Sequence, residues 1–252
     1  MSTSVIPGQL VAALDEAQLA VEAATRLAKA LRECILQRGM VSLALSGGNT
    51  PRPAYEKLAR ETGIDWGKVS VFWIDERAVP PTSPRSNYRL AKETLLDPAG
   101  VPASNIYRMV GEAPDLDQAA RAYEAMIRRF LVGTKVFPRE SPSFDVAVLG
   151  IGDDGHTASL FPGEASVDVR DRLVIAVPEA AEKGREARIT VTAPVIENIE
   201  TAFVLVAGQS KHRPLERIWS VVGKPQETPA RVLRDVRGSL YWIVDKAAGG
   251  IP

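Results

Sequence analysis

An apolar run from Phe144 to Leu149 leads directly into the glycine-rich turn Gly150-Ile151-Gly152-Asp153-Asp154-Gly155, and the next residue is His156, one of only two histidines in the chain. Histidine takes up and returns a proton near neutral pH because its unperturbed pKa is about 6.5. Held at the end of a rigid strand, such a group keeps its aim as a general base. By itself the same stretch is equally a helix-capping loop with an incidental histidine. The choice rests on whether other reactive or charged residues gather at equivalent places in the chain.

A second cluster, Ser46-Gly47-Gly48-Asn49-Thr50-Pro51, has the parts of an anion site. Its glycines allow close backbone approach, Thr50 is placed to cap a helix, Pro51 suits the first helical turn, and the helix start offers unpaired N–H groups. The same composition also serves an ordinary strand-to-helix turn. The P-loop lysine is missing, which argues against a nucleoside triphosphatase. In Arg188-Ile189-Thr190-Val191-Thr192, strand alternation puts Arg188, Thr190 and Thr192 on one face, where a cation must reach solvent or an anion. Lys211 falls in the first turn after Gly208, where its charge opposes the helix dipole and a bound phosphate would reverse the penalty.

Gly150, Gly152 and Gly155 also match the G-x-G-x-x-G pattern of dinucleotide-binding folds. That reading fails on its neighbours. Asp153 and Asp154 put carboxylates where a pyrophosphate needs donors, and Pro162-Gly163 stops the following helix after roughly two turns. The glycines instead shape a turn that aims His156 and lets a carboxylate orient its ring.

These clusters must be positioned by the elements around them. Asp15 to Arg38 reads as an amphipathic helix closed by Gly39, Val41 to Leu45 as a strand ending at Ser46, and Pro51 to about Arg60 as a second helix. Val69 to Ile74 is another buried strand, ending in Asp75-Glu76-Arg77. Ser83 or Ser86 starts a helix through Leu96, and Leu116, Ala120, Tyr123, Ile127 and Phe130 mark one face of the next. An exposed stretch, Pro138 to Pro142, leads into the central strand. Further strands follow at Leu173 to Val177, Ala187 to Thr192, Thr201 to Ala207 and Leu240 to Val244, with helices after Pro194 and Gly208. Strands alternating with helices imply an α/β fold, a mostly parallel sheet with helices on both faces, and ligands beyond the carboxyl ends of its strands. Residues 1–252 read as one such domain, without repeats or a dividing linker.

Composition narrows the partners. Thirty-one basic against thirty-one acidic residues leave no net charge, so no overall field favours nucleic acid or an anionic membrane, and a small anion needs a local basic cluster. No apolar run approaches the ~18 residues of a membrane span. The lone Cys34 excludes an intrachain disulfide, and the first residues lack the blocks of an export signal, which fits a cytoplasmic protein. Cys34 continues the helical stripe Ala20, Ala24, Leu27, Leu31 and reads as packing.

Nearly the whole chain resembles the 6-phosphogluconolactonases. The resemblance is carried by Leu45 to Pro51, by Trp73 to Arg77 with Ser86-Asn87-Tyr88, by Gly150 to Pro162, by Arg188-Ile189-Thr190 and by Gly208 to Lys211. The stretch His156-Thr157-Ala158-Ser159-Leu160-Phe161-Pro162 is the most diagnostic part, since the related glucosamine-6-phosphate deaminases share the turn and histidine but continue differently. The resemblance implies a Rossmann-like sheet and hydrolysis of 6-phospho-D-glucono-1,5-lactone to 6-phosphogluconate in the oxidative pentose phosphate pathway, without cofactor or metal. The partner is then a small phosphosugar lactone; the sequence does not disclose the oligomeric state, and a monomer is plausible. In this reading neutral His156 activates water, and Asp75 or Asp154 holds the imidazole, with Asp154 preferred because it is local. Arg77, Arg188 and Lys211 neutralise the phosphate, and Ser46, Gly47, Gly48, Asn49 and Thr50 cradle it. Glu76 and His212 read as structural or solvated. Two rivals remain: an amino-sugar-phosphate isomerase or deaminase with a carboxylate base such as Asp75, and a noncatalytic sugar-phosphate sensor. Such sensors usually attach a DNA-binding segment, which neither the charge balance nor the first helix suggests.

Overall fold

The computed structural model describes residues 5–133, 143–180 and 184–250; the Pro138 to Pro142 stretch lies outside these. In chain order the strands are β1 (Gln9–Ala13), β2 (Val41–Leu45), β3 (Val69–Trp73), β4 (Asp75–Arg77), β5 (Val146–Leu149), β6 (Val174–Val177), β7 (Arg188–Val191), β8 (Thr201–Val206) and β9 (Ser239–Asp245). The helices that matter for the site are α1 (Glu16–Arg38), α2 (Pro51–Leu58), α3 (Asn87–Ala91), α4 (Asp97–Ala99), α5 (Leu116–Gly133), α6 (Ala193–Glu197) and α7 (His212–Trp219).

Six strands form one sheet in the order β1-β9-β8-β5-β2-β3, every neighbouring pair parallel. All residues of β2, β3 and β5 are buried, as continuous apolar runs in a doubly covered parallel sheet should be. From β2 the chain moves outward to β3, then returns to place β5 on the other side of β2. The loops leaving β2 and β5 therefore diverge around a crevice at the sheet's topological switch point. Those loops are Ser46–Thr50 and the turn bearing His156.

The helices arise from local signals. Asp15 caps α1 by accepting from Gln18 N–H (2.8 Å), and Gly39 closes it at φ 78°. Its apolar stripe buries Leu19, Ala20, Ala23, Ala24, Leu27, Ala28 and Leu31. Cys34 is half-buried against the core; burial, with the Asp145 charge, pushes its thiol up to about 11, unsuited to nucleophilic work. Ser86, not Ser83, caps α3, which runs on through a π turn at Lys92–Leu96 into α4.

One departure from the sequence reading shapes the site. Strands β6 and β7 do not join the parallel sheet; with β4 they form a separate antiparallel sheet, β4-β7-β6. Ten residues join β6 to β7, fewer than the dozen or more that a parallel crossover requires, and none of the described ones is helical. β4 has three polar residues and no apolar run, and only pairing with β7 makes it a strand. The pairing sets Asp75 opposite Thr190 and Arg77 opposite Arg188. The edge strand β1 went unread because it is largely exposed and so lacks a buried run. Both sheets share one core, which contains Phe72, Val148 and Trp242 as well as Val174, Ile189 and Val191.

Candidate active site

The turn after β5 is fixed by its own backbone. Gly152 N–H donates to His156 O (2.8 Å), Gly155 N–H to Gly152 O (3.0 Å), and Ala230 N–H reaches across to Gly155 O (2.9 Å). Thr157 Oγ1 donates to Gly150 O (2.8 Å). Within this frame Asp154 Oδ1 accepts from His156 N–H at 3.0 Å and lies 2.6 Å from His156 Nδ1. Burial acts to raise the Asp154 pKa, but the hydrogen bond and charge of His156 outweigh it and bring it down to about 2. The carboxylate is thus ionised at neutral pH and stabilises a hydrogen on Nδ1, leaving Nε2 as the ring atom that accepts a proton. Because this pKa lies below the ordinary aspartate value of about 3.9, the pair's contribution to stability is complete above that pH and is lost as pH falls toward about 2. Acid-unfolding curves of Asp154→Asn should lack that component between roughly pH 4 and 2.

Gly152 is glycine for a steric reason, since a Cβ there would stand 2.1 Å from His156 Nδ1 and 2.7 Å from Asp154 Oδ1. Gly47 is constrained likewise, its Cβ position lying 1.8 Å from Asn87 Oδ1. Ser46 Oγ donates to Val148 O (2.7 Å) and Tyr55 Oη to Ser46 O (2.8 Å), tying this loop to β5 and α2. The expected Thr50 cap is not made. Thr50 is already helical (φ −59°, ψ −44°) and its side chain makes no capping bond. Arg52 N–H turns instead to Asn49 O (3.2 Å).

The small sheet supplies two of the cations. Arg77 and Arg188 face each other across β4 and β7, an arrangement that repels unless a counter-charge lies nearby. Arg188 is only loosely compensated, 3.7 Å from Asp75 Oδ2 and 3.8 Å from Glu186 Oε2, and its buried Nε has no hydrogen-bond partner among the described residues. Burial lowers its guanidinium pKa, opposed by Asp75 and reinforced by Arg77. Lys211 Nζ pairs with Asp153 Oδ1 at 2.6 Å, and Ser210 Oγ donates to the same oxygen at 3.0 Å. The Lys211 bond holds the Asp153 carboxyl below its usual range.

One cleft of about 380 Å³ gathers Ser46 to Thr50, Asp75, Arg77, His156, Arg188 and Lys211. Asp154 is the one predicted site residue outside its lining. Of the two carboxylates considered for orienting the imidazole, Asp154 touches it. Asp75 instead accepts from Ser159 Oγ (2.6 Å) and Asn87 Nδ2 (3.2 Å) beside Arg188. Glu76 is buried, and accepts from the N–H groups of Arg77, Asn87 and Tyr88 and from Ser86 Oγ; burial raises its pKa against those bonds. It therefore anchors the segment that brings Asn87 against Gly47. His212 contacts Ala248 O and Glu216, and does not line the cleft.

Sequence reasoning gave no role to Asp153, Ser159, Asn87, Ser210 or Phe161. Asn87 and Ser159 stood inside recognisable motifs, but an amide and a hydroxyl announce no chemistry until the fold sets them beside Asp75. Among the described residues, no group of three or more histidine, cysteine, aspartate or glutamate side chains is arranged to hold a metal ion, and no helix is long and apolar enough to cross a membrane.

A parallel sheet with a polar cleft at its switch point defines a Rossmann-like α/β protein, and known structures share it. The 6-phosphogluconolactonase of Trypanosoma cruzi superposes with a TM-score of 0.82 at 27% identity, over 99% of this chain and 98% of that one. The sequence is 42% identical over 225 residues to the 6-phosphogluconolactonase of Synechocystis sp., covering 89% of this chain and 88% of that protein. It is 38% identical over 223 residues to the 6-phosphogluconolactonase of Nostoc sp., covering 87% and 88%. The family described as glucosamine-6-phosphate isomerases/6-phosphogluconolactonase matches residues 14–242. The chain belongs to the glucosamine-6-phosphate isomerase/6-phosphogluconolactonase family.

Proposed function

We propose that this protein hydrolyses 6-phospho-D-glucono-1,5-lactone to 6-phosphogluconate, with His156 as general base toward water. The names of its relatives support the substrate, and one observation carries the mechanism: a carboxylate-held imidazole opens on the same cleft as the cross-strand pair Arg77 and Arg188.

In this mechanism His156 Nε2 takes a proton from water as the water oxygen bonds to C1 of the lactone. Asp154 stabilises the imidazolium that forms. The proton then passes to the ring oxygen as its bond to C1 breaks, and the chain opens to the acid. General base catalysis contributes ~10²–10⁴-fold, and a lactone is activated enough for that to suffice. Arg77, Arg188 and Lys211 hold the remote phosphate, with Ser46 to Thr50 as its backbone cradle, and that binding orients the carbonyl. Lys211 exchanges Asp153 for the phosphate as the substrate enters. Asp75 is already engaged by Ser159 and Asn87, which disfavours it as the free carboxylate base that an isomerase would use.

The function is tested with freshly made lactone and with glucosamine 6-phosphate. The proposal expects lactone loss well above the spontaneous rate and no ammonia; ammonia release without lactone hydrolysis would replace it. Arg188→Ala should raise KM for the phosphorylated lactone by ~10–100-fold, the worth of a lost charge-assisted hydrogen bond, while sparing any weak turnover of the unphosphorylated lactone. If both substrates suffer alike, Arg188 is structural.

A further inference from the structure

The ring of Phe161 underlies two residues of the cleft without lining it. Its centroid is 4.7 Å from that of the His156 imidazole, at an interplanar angle of 48°, and 5.9 Å from the Arg188 guanidinium carbon. The chain doubles back between residues 156 and 161 through Ala158, whose φ of 53° is the only positive value for a non-glycine residue among those described. Such a conformation is strained for an L-residue and persists only where its surroundings enforce it.

Phe161 is also met by Arg185. Its guanidinium carbon lies 3.8 Å from the Phe161 ring centroid, close enough for a cation–π contact. The side chain is only 10% exposed, so the contact is largely desolvated. Arg185 is pinned by an ion pair with Glu164 (2.6 Å) and by reciprocal backbone bonds with Ala180 (2.9 and 3.1 Å). It does not line the cleft that holds His156; it borders a separate cavity of about 520 Å³.

We propose that Arg185 is a positioning residue for the hydrolysis, acting through Phe161: the guanidinium clamps the ring, and the ring sets the imidazole relative to Arg188. This rests on the function proposed above. It assigns Arg185 no contact with substrate. Its loss should therefore lower kcat and leave KM for the phosphorylated lactone nearly unchanged, unlike loss of Arg188.

The test is a double-mutant cycle on kcat with Arg185→Met, Phe161→Leu and the combined variant, alongside Arg185→Lys. Phe161→Leu should lower kcat by ~10–100-fold and Arg185→Met by ~10-fold, as expected when a base is misplaced by a fraction of an ångström to an ångström. In the Phe161→Leu background Arg185→Met should have no further effect, and Arg185→Lys should recover part of the rate. Equal effects of Arg185→Met in both backgrounds would overturn the proposal, as would a rise in KM matching that of Arg188→Ala. Should Arg185→Met fail to fold, the same comparison is made with Arg185→Lys in the two backgrounds. If the wild type hydrolyses no lactone, the function itself is wrong and this inference falls with it. A wild-type rate with an unaltered Arg185→Met kcat sinks the inference alone.

Discussion

Gly152→Ala should cost ~10²-fold in kcat, comparable to other ångström-scale misplacements of a catalytic group, and leave the fold intact. The added methyl would sit 2.1 Å from His156 Nδ1 and 2.7 Å from Asp154 Oδ1, and real Cβ atoms essentially never approach within 3.0 Å. Either the imidazole swings away or the Asp154 bond breaks, because the turn is pinned by its backbone hydrogen bonds. Gly152 is not held at a positive φ, so alanine meets no backbone strain there and the effect is local to the ring. The expected profile is a near-wild-type melting temperature, a KM close to normal and a much reduced kcat. Full activity in Gly152→Ala would mean that the ring does not occupy this position during turnover.

His156→Ala should lose most of the enzymatic rate, by about the 10²–10⁴-fold that general base catalysis supplies. Residual hydrolysis is expected, since in the proposed mechanism Arg77, Arg188, Lys211 and the Ser46 to Thr50 loop still bind and orient the ester. The two glycine and histidine variants should therefore resemble each other in KM and differ from Arg188→Ala, whose loss falls on binding. That contrast separates the proposed base from the proposed anion clamp within one cleft.

Much of this arrangement was legible because parallel strands covered on both faces are apolar throughout. β2, β3 and β5 stood out as runs ending in Ser46, in Ile74-Asp75 and in Gly150, and the rule that ligands gather at such ends brought the clusters together. The rest depended on contacts far apart in sequence. β4 is Asp75-Glu76-Arg77, which has no strand signal until it pairs with β7 more than a hundred residues later. Lys211 read as a phosphate-neutralising cation at a helix start, and nothing in the sequence showed that Asp153 pairs with it. Thr50 had the residue type of a cap but adopts a helical backbone that removes the capping geometry. Asp154 was preferred over Asp75 only because it lies two residues from His156; the turn places it against the ring, and Ser159 and Asn87 explain what Asp75 does instead. Phe161 was visible only as part of a motif, because nothing in the sequence tells that Arg185 stacks on it.

The central claim is that a single imidazole activates the water that opens the lactone. It is tested most directly by following acid release from freshly prepared 6-phosphogluconolactone in a pH-stat, with wild-type protein and with His156→Ala at equal concentration. The account predicts rapid release above the uncatalysed background for the wild type and, for the variant, an enzymatic rate lower by ~10²–10⁴-fold. Equal rates from the two proteins would contradict it.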